Sequence, residues 1–105
     1  MSMPDFTKPL TYSELGNFDA DTLITKVSTF CMSGTGMHPD ALKAVVLKMT
    51  YFSRDLTIKQ DERDTAATLA TSLANAAIKA YGAQSEFGRE LMNGIQMITN
   101  NPAAA

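Results

Sequence analysis

Residues 39–58 restrict the fold more than any other segment, because apolar side chains recur at helical spacing on two of its sides. One side has the width expected of a helix that faces a core. That side contains Leu42, Val45, Val46, Met49, Phe52 and Leu56. The opposite side carries Ala44, Leu47, Tyr51 and Ile58. A helix with two apolar sides is either central in its own bundle or partly covered by a partner.

Three further segments show the periodicity of amphipathic helices. Residues 19–32 begin with aspartates, which favour a helix N-terminus. An alanine-rich segment ends before Gly82, and residues 85–99 begin with the N-cap residue Ser85. A break between the second and third helices is expected near residues 59–61. We therefore predict an all-α fold, a small bundle of three to four helices joined by short loops.

Both ends of the chain are predicted to differ from this bundle. Pro4 and Pro9 interrupt any helix in residues 1–18, so we expect an irregular N-terminal arm. Thr11 and Glu14 have capping-box spacing, which predicts one short helical turn within the arm. The helical domain is expected over residues 19–99. The closing residues 100–105 are predicted to form a short disordered, flexible tail.

Composition excludes several classes of protein. The net charge of -2 provides no broad attraction to nucleic acid. A single cysteine cannot form an internal disulfide, which fits a reducing compartment. No apolar stretch approaches the roughly 20 residues that span a bilayer, and the first residues lack the pattern of a signal peptide. We expect a cytoplasmic protein, and export by a route without a cleaved signal peptide is also compatible with the sequence.

The only cysteine and the only histidine flank two glycines in the stretch Cys31-Met-Ser-Gly-Thr-Gly-Met-His38. Cys31 follows the apolar side of the first helix, which predicts a buried and inert thiol. The glycines and Pro39 are typical of residues that end one helix and begin the next. A Cys–His enzyme needs a lowered thiol pKa and a third orienting group, and no known signature surrounds these residues. A small enzyme that uses Cys31 and His38 is therefore the third-ranked interpretation of the chain's function.

The sequence predicts no catalytic residue, no metal site and no cofactor. One histidine and one cysteine make a closed zinc site implausible. A calcium-binding loop of the Asp-x-Asp-x-Asp-Gly type and a Gly-x-Ser-x-Gly nucleophile elbow are both absent from the sequence. Seven methionines and no tryptophan are typical of adaptable packing surfaces, which favours association over catalysis.

We therefore expect non-enzymatic protein–protein association. The domain would act as an adaptor, an inhibitor, a small chaperone or a subunit of a helical assembly such as a secretion filament. Its partner is expected to be another protein or a second copy of itself, as in a homo-oligomer. The predicted partner-binding residues are Lys43, Leu47, Tyr51, Arg54 and Ile58.

The alternative is a small helical regulator that binds nucleic acid or a nucleotide. The bases that flank the second apolar side would carry this binding. They are Lys43, Lys48, Arg54 and Lys59. These four bases are few and divided between two flanks, so binding to nucleic acid is the less favoured hypothesis.

Overall fold

The computed structural model describes residues 5–100, and within that range it contains five α-helices and no strand. In chain order they are α1 (Tyr12–Leu15), α2 (Ala20–Met32), α3 (Pro39–Ser53), α4 (Gln60–Tyr81) and α5 (Glu86–Thr99). The predicted all-α fold is confirmed. The predicted count of three to four helices is too low, because the turn in the N-terminal arm is a helix of its own. The predicted tail lies outside the described residues, apart from Asn100.

The N-terminal arm is attached to the core. The Thr11 hydroxyl accepts a hydrogen bond from the Glu14 backbone N–H at 3.2 Å, and the Glu14 carboxylate accepts one from the Thr11 N–H at 3.2 Å. This reciprocal capping box starts α1, as predicted. Phe6 is only 3% exposed and Leu15 is fully buried. The arm is further held by the Phe6 carbonyl, which accepts a hydrogen bond from the His38 N–H at 2.8 Å.

Local caps determine where the longer helices begin. The Asp19 carboxylate accepts a hydrogen bond from the Thr22 N–H at 2.9 Å at the start of α2. The Ser85 hydroxyl accepts one from the Gly88 N–H at 3.0 Å at the start of α5. Both caps satisfy backbone donors that have no partner within the helix. The predicted helix starts at residues 19 and 85 are confirmed.

The α3 helix ends at Ser53, five positions before the predicted end at residue 58. The Asp55 carboxylate accepts hydrogen bonds from the Thr57 N–H at 2.9 Å and from the Thr57 hydroxyl at 2.6 Å. Such a local turn competes with continuation of a helix. Leu56, predicted to face the core, is therefore 70% exposed in the connection to α4. Its predicted position in the core is wrong.

The connection between α3 and α4 is tied down from α4. The Arg63 guanidinium donates hydrogen bonds to the Ile58 carbonyl at 2.8 Å and to the Asp55 carbonyl at 3.3 Å. Lys59 is the N-cap of α4, which confirms the break predicted near residues 59–61. The two helices are therefore separate elements joined by a fixed turn.

The central element of the fold is α3, which contacts all four other helices. Val45, Met49 and Phe52 share one hydrophobic cluster with α2 and α4. Leu42 and Val46 join a second cluster with α4 and α5. The α4 alanines that meet these clusters are Ala66, Ala70 and Ala77. Two further alanines of α4 are exposed, namely Ala76 and Ala80.

The turn between α4 and α5 yields a stability prediction. A Cβ atom at Gly88 would overlap the Gly82 carbonyl oxygen and lie 3.1 Å from backbone atoms of Ala83. Because backbone cannot move aside as a side chain can, Gly88→Ala should lower the free energy of unfolding by roughly 1–3 kcal/mol. Urea unfolding followed by circular dichroism measures the change.

Gly94→Ala is the matched control within the same helix. Its new Cβ would lie 2.8 Å from Leu47 Cδ2, the far end of a flexible side chain that can shift. Alanine also favours a helix over glycine by up to about 1 kcal/mol. We expect Gly94→Ala to remain within about 1 kcal/mol of wild type. Equal losses in the two variants would contradict the close approach at Gly88.

Candidate functional site

The first two of the predicted partner-binding residues, Lys43 and Leu47, both contact α5. The Lys43 ammonium pairs with the Glu90 carboxylate at 2.8 Å and lies 6.0 Å from the centre of the Phe87 ring. Leu47 is half-buried and packs against the backbone at Gly94. Both residues therefore have partners inside the chain, although each keeps part of its surface in solvent.

A shallow groove lies beside Leu47, between α3 and the N-terminal arm. Its volume is about 440 Å³, and Leu10 and Tyr12 of the arm line it together with Ala44 and Leu47. Ala44 is buried against the main core cluster. The arm and α5 thus narrow the second apolar side of α3 to a strip that contains Leu47.

The remaining three residues of the predicted site do not form one face. The Tyr51 ring packs edge-on against Phe52 at 5.9 Å and contacts the main core cluster. Arg54 is the C-cap of α3, and its Nε is buried with no hydrogen-bond partner among residues 5–100. Ile58 lies beyond the end of α3 and packs against the core. Lys43 and Leu47 are brought together, whereas Ile58 is separated from the helix.

The bases of the alternative hypothesis are also dispersed. Lys48 Nζ lies 4.9 Å from the centres of the Tyr12 and Tyr51 rings and 5.2 Å from that of Phe52. This aromatic enclosure removes water, and the desolvation lowers the pKa of Lys48. Lys43 is paired with Glu90. Two of the four bases are thus engaged within the chain, and no specific observation favours nucleic-acid binding.

The connection around Cys31 and His38 corrects one prediction. Cys31 was expected to be buried, but it is exposed in the last turn of α2, where Phe30 alone packs against the core. The helix still removes enough water to raise the pKa of the Cys31 thiol. The His38 ring accepts a hydrogen bond from the Asp40 N–H at 3.1 Å through Nδ1, so His38 serves as the N-cap of α3. Neither residue has the environment of an activated catalytic pair.

Metal-binding clusters and membrane-spanning helices were two further possibilities for residues 5–100. Residues 5–100 contain no group of three or more histidine, cysteine, aspartate or glutamate side chains that could hold a metal ion. Among those same residues, no helix combines the length and the apolar character that crossing a membrane requires. A further candidate surface is a larger groove than the one beside Leu47.

This groove runs between α4 and α5 and has a volume of about 650 Å³. Its α4 wall consists mainly of small side chains, including Ala67, Thr71 and Ala74. Its α5 wall contains Met92, which is 49% exposed, and Ile95. Small residues on one wall permit the close approach of another helix, and a methionine on the other adapts its shape.

The floor of the groove behaves as an apolar surface despite two hydroxyl groups. The Thr50 hydroxyl donates to the Val46 carbonyl at 2.8 Å, and the Ser53 hydroxyl donates to the Thr50 carbonyl at 2.6 Å. Both donors are therefore satisfied within α3. A ligand in this groove would gain mainly apolar contact rather than hydrogen bonds.

Two residues of opposite charge lie toward the two ends of α4, and one of them lines this groove. Lys79 lines the groove near the C-terminus of α4. Asp64, Thr71 and Ile78 are spaced at i, i+7 and i+14, so they share one side of the helix. Asp64 and Lys79 lie about 22 Å apart along the axis at the rise of an α-helix. Neither forms an ion pair within the described part of the chain.

Sequence reasoning identified the alanine-rich helix but not this groove. The buried alanines of α4, namely Ala66, Ala70 and Ala77, pack on the clusters that α3 shares. The groove wall is an adjacent row of α4 that includes Ala67 and Thr71. A second row of α4, at residues 67, 71, 74 and 78, contains three apolar residues and one threonine at helical spacing. This row is the signal that could have indicated a second helix contact of α4.

Comparisons with known proteins add no relative. No protein-family model matches the chain, and neither a curated protein nor a solved structure resembles it significantly. Any functional inference therefore depends on the chain's own residues.

The raised pKa of the Cys31 thiol gives a measurable pH dependence. Only the thiolate reacts with alkylating reagents, so native Cys31 should react with iodoacetamide at a rate that rises with pH around a midpoint above that of the urea-unfolded chain. A native midpoint below the unfolded one would contradict the desolvation and support the Cys–His enzyme. His38→Ala is the control, and it should leave the midpoint unchanged.

Proposed function

We propose that this chain is a non-enzymatic protein–protein interaction domain that binds an amphipathic helix of its partner in the groove between α4 and α5. The observation that carries the proposal is the groove's combination of a small-residue wall on α4 with the half-exposed Met92 on α5. Helix-in-groove recognition uses these features, because an apolar helical face needs a trough that excludes water.

The charges around the groove specify the chemistry of the bound helix. Lys79 lines the groove near the C-terminus of α4, and Asp64 lies one turn before Ala67, the first α4 residue that lines it; neither forms an ion pair among the described residues. A helix with an acidic and a basic end would bind in one direction only, since the reverse direction places like charges together. Apolar contact would provide affinity, and the end charges would provide orientation.

The partner-binding surface predicted from the sequence, with Lys43 and Leu47 on α3, stays a second predicted surface. Lys43 and Leu47 keep part of their surface in solvent but also contact α5. A change at Leu47 would therefore affect both packing and any binding there. The groove between α4 and α5 is a sharper target, because Thr71 and Met92 are exposed.

Two methionines of α5 make a matched test of the proposed surface. Met92 lines the groove, whereas Met97 is 73% exposed and does not line it. A photo-crosslinking amino acid at position 92 should form an adduct of discrete mass with a protein in the cells that naturally produce the chain. The same amino acid at position 97 should form none, because it points away from the bound helix.

A blocking variant completes this test. Thr71→Arg places a long charged side chain in the groove, and it should weaken binding at least tenfold, about 1.4 kcal/mol. Ala76→Arg changes an exposed residue of the same helix outside the groove, so it should leave the adduct intact. Equal adducts from positions 92 and 97, or an adduct that survives Thr71→Arg, would refute the proposal.

A further inference from the structure

We infer that the helix bound in the groove is α4 of a second copy of this chain, so that two copies associate through antiparallel α4 helices. This inference rests on the proposed function and names its partner. Along α4, Asp64 and Lys79 form no ion pair among the described residues; the Asp64 carboxylate accepts a hydrogen bond from the Gln60 amide at 2.8 Å, and Lys79 lines the groove. An antiparallel copy presents the complementary charge at each end.

The spacing of these residues places a two-fold axis close to Thr71. With Thr71 opposite its own copy, Asp64 of one chain lies beside Lys79 of the other, and the same pair forms again across the axis. Ala67 then lies opposite Asn75 of the second copy, so side chains at the crossing remain small. An interface related by a two-fold axis is self-complementary in this way, and every contact occurs twice.

The helix has suitable size and exposure for such a contact. With 22 residues it is about 33 Å long at the rise of an α-helix, the longest helix described. Its groove side is exposed at Asp64, Ala67, Thr71 and Asn75. Each α4 would occupy the groove of the other copy, where it would cover the half-exposed Met92 and remove apolar surface from water.

Charge reversal tests the antiparallel register in the full chain. Asp64→Lys and Lys79→Asp each place like charges together twice, and each should raise the dissociation constant of the dimer about tenfold, measured by sedimentation velocity over a range of concentrations. The double variant Asp64→Lys/Lys79→Asp restores opposite charges and should return to within about threefold of wild type. Thr65→Lys/Ala80→Asp, at exposed neighbouring positions outside the groove, should leave the constant unchanged.

A disulfide tests the position of the axis independently of charge. In a Cys31→Ser background, Thr71→Cys should form a covalent dimer under mild oxidation, since a residue on the axis meets its own copy. Ala76→Cys should not. Circular dichroism confirms that each variant remains helical.

Several outcomes would overturn the inference. They are a wild-type chain that stays monomeric at all concentrations, a folded double variant that does not recover, and a Thr71→Cys chain that cross-links no faster than Ala76→Cys. A monomeric chain whose position 92 still forms an adduct with a different protein would refute the second copy but keep the proposed function. A monomer with no such adduct would refute both.

Discussion

Close packing of α4 on α3 is the contact on which the remaining structure depends. Ala66 and Ala77 are fully buried where the two helices meet, and Ala70 is nearly so. Alanine allows the helix backbones to approach closely, and it favours the helix itself. The contact lets α3 present Val45 and Met49 to one cluster and Val46 to another. The other helices then pack on the sides of α3 that α4 leaves open.

The two apolar sides of α3 have a largely internal explanation. A helix apolar on two sides is either central or partly covered by a partner, and α3 contacts every other helix of the described chain. On the second side, Ala44 meets the main core cluster, Leu47 meets α5, and Tyr51 packs against Phe52. The second apolar side of α3 could be covered either by a partner in another chain or by the chain's own arm and α5. The sequence alone could not distinguish these two cases.

The features predicted correctly are those with a local cause. The capping box of Thr11 and Glu14, and the starts of the helices after Asp19 and Ser85, each depend on residues within one turn. The helical periodicity of α4 and α5 is equally local. Such features can be predicted from one sequence, because the hydrogen bonds that produce them join residues close together in the chain.

The errors have long-range or competing causes. The end of α3 depends on the Asp55 turn and on Arg63, which reaches back from the next helix. An Asp-x-Thr pattern is a weak turn signal. The apolar row that continues through Leu56 instead predicted that the helix would continue past Ser53. Cys31 follows the apolar row of α2, but the last turn of that helix extends beyond the residues that α3 and the arm cover. Phe30 still packs against the core there, whereas Cys31 is exposed. Periodicity identifies the face of a helix, whereas burial also depends on how far its neighbours reach.

The groove between α4 and α5 is a consequence of the same alanine-rich composition that builds the core. Small side chains on the side of α4 that meets α3 bring two helices together, and the small side chains of Ala67 and Thr71 on the adjacent side leave a groove beside Met92 of α5. Larger apolar residues there would meet Met92 and bury it, which would stabilise a monomer by about 25 cal/mol for each Å² removed from water. The chain instead leaves this surface open, with opposite charges toward its ends. A second helix with the complementary charges would remove the same surface from water. The free energy of apolar burial that the monomer lacks would then stabilise the associated state.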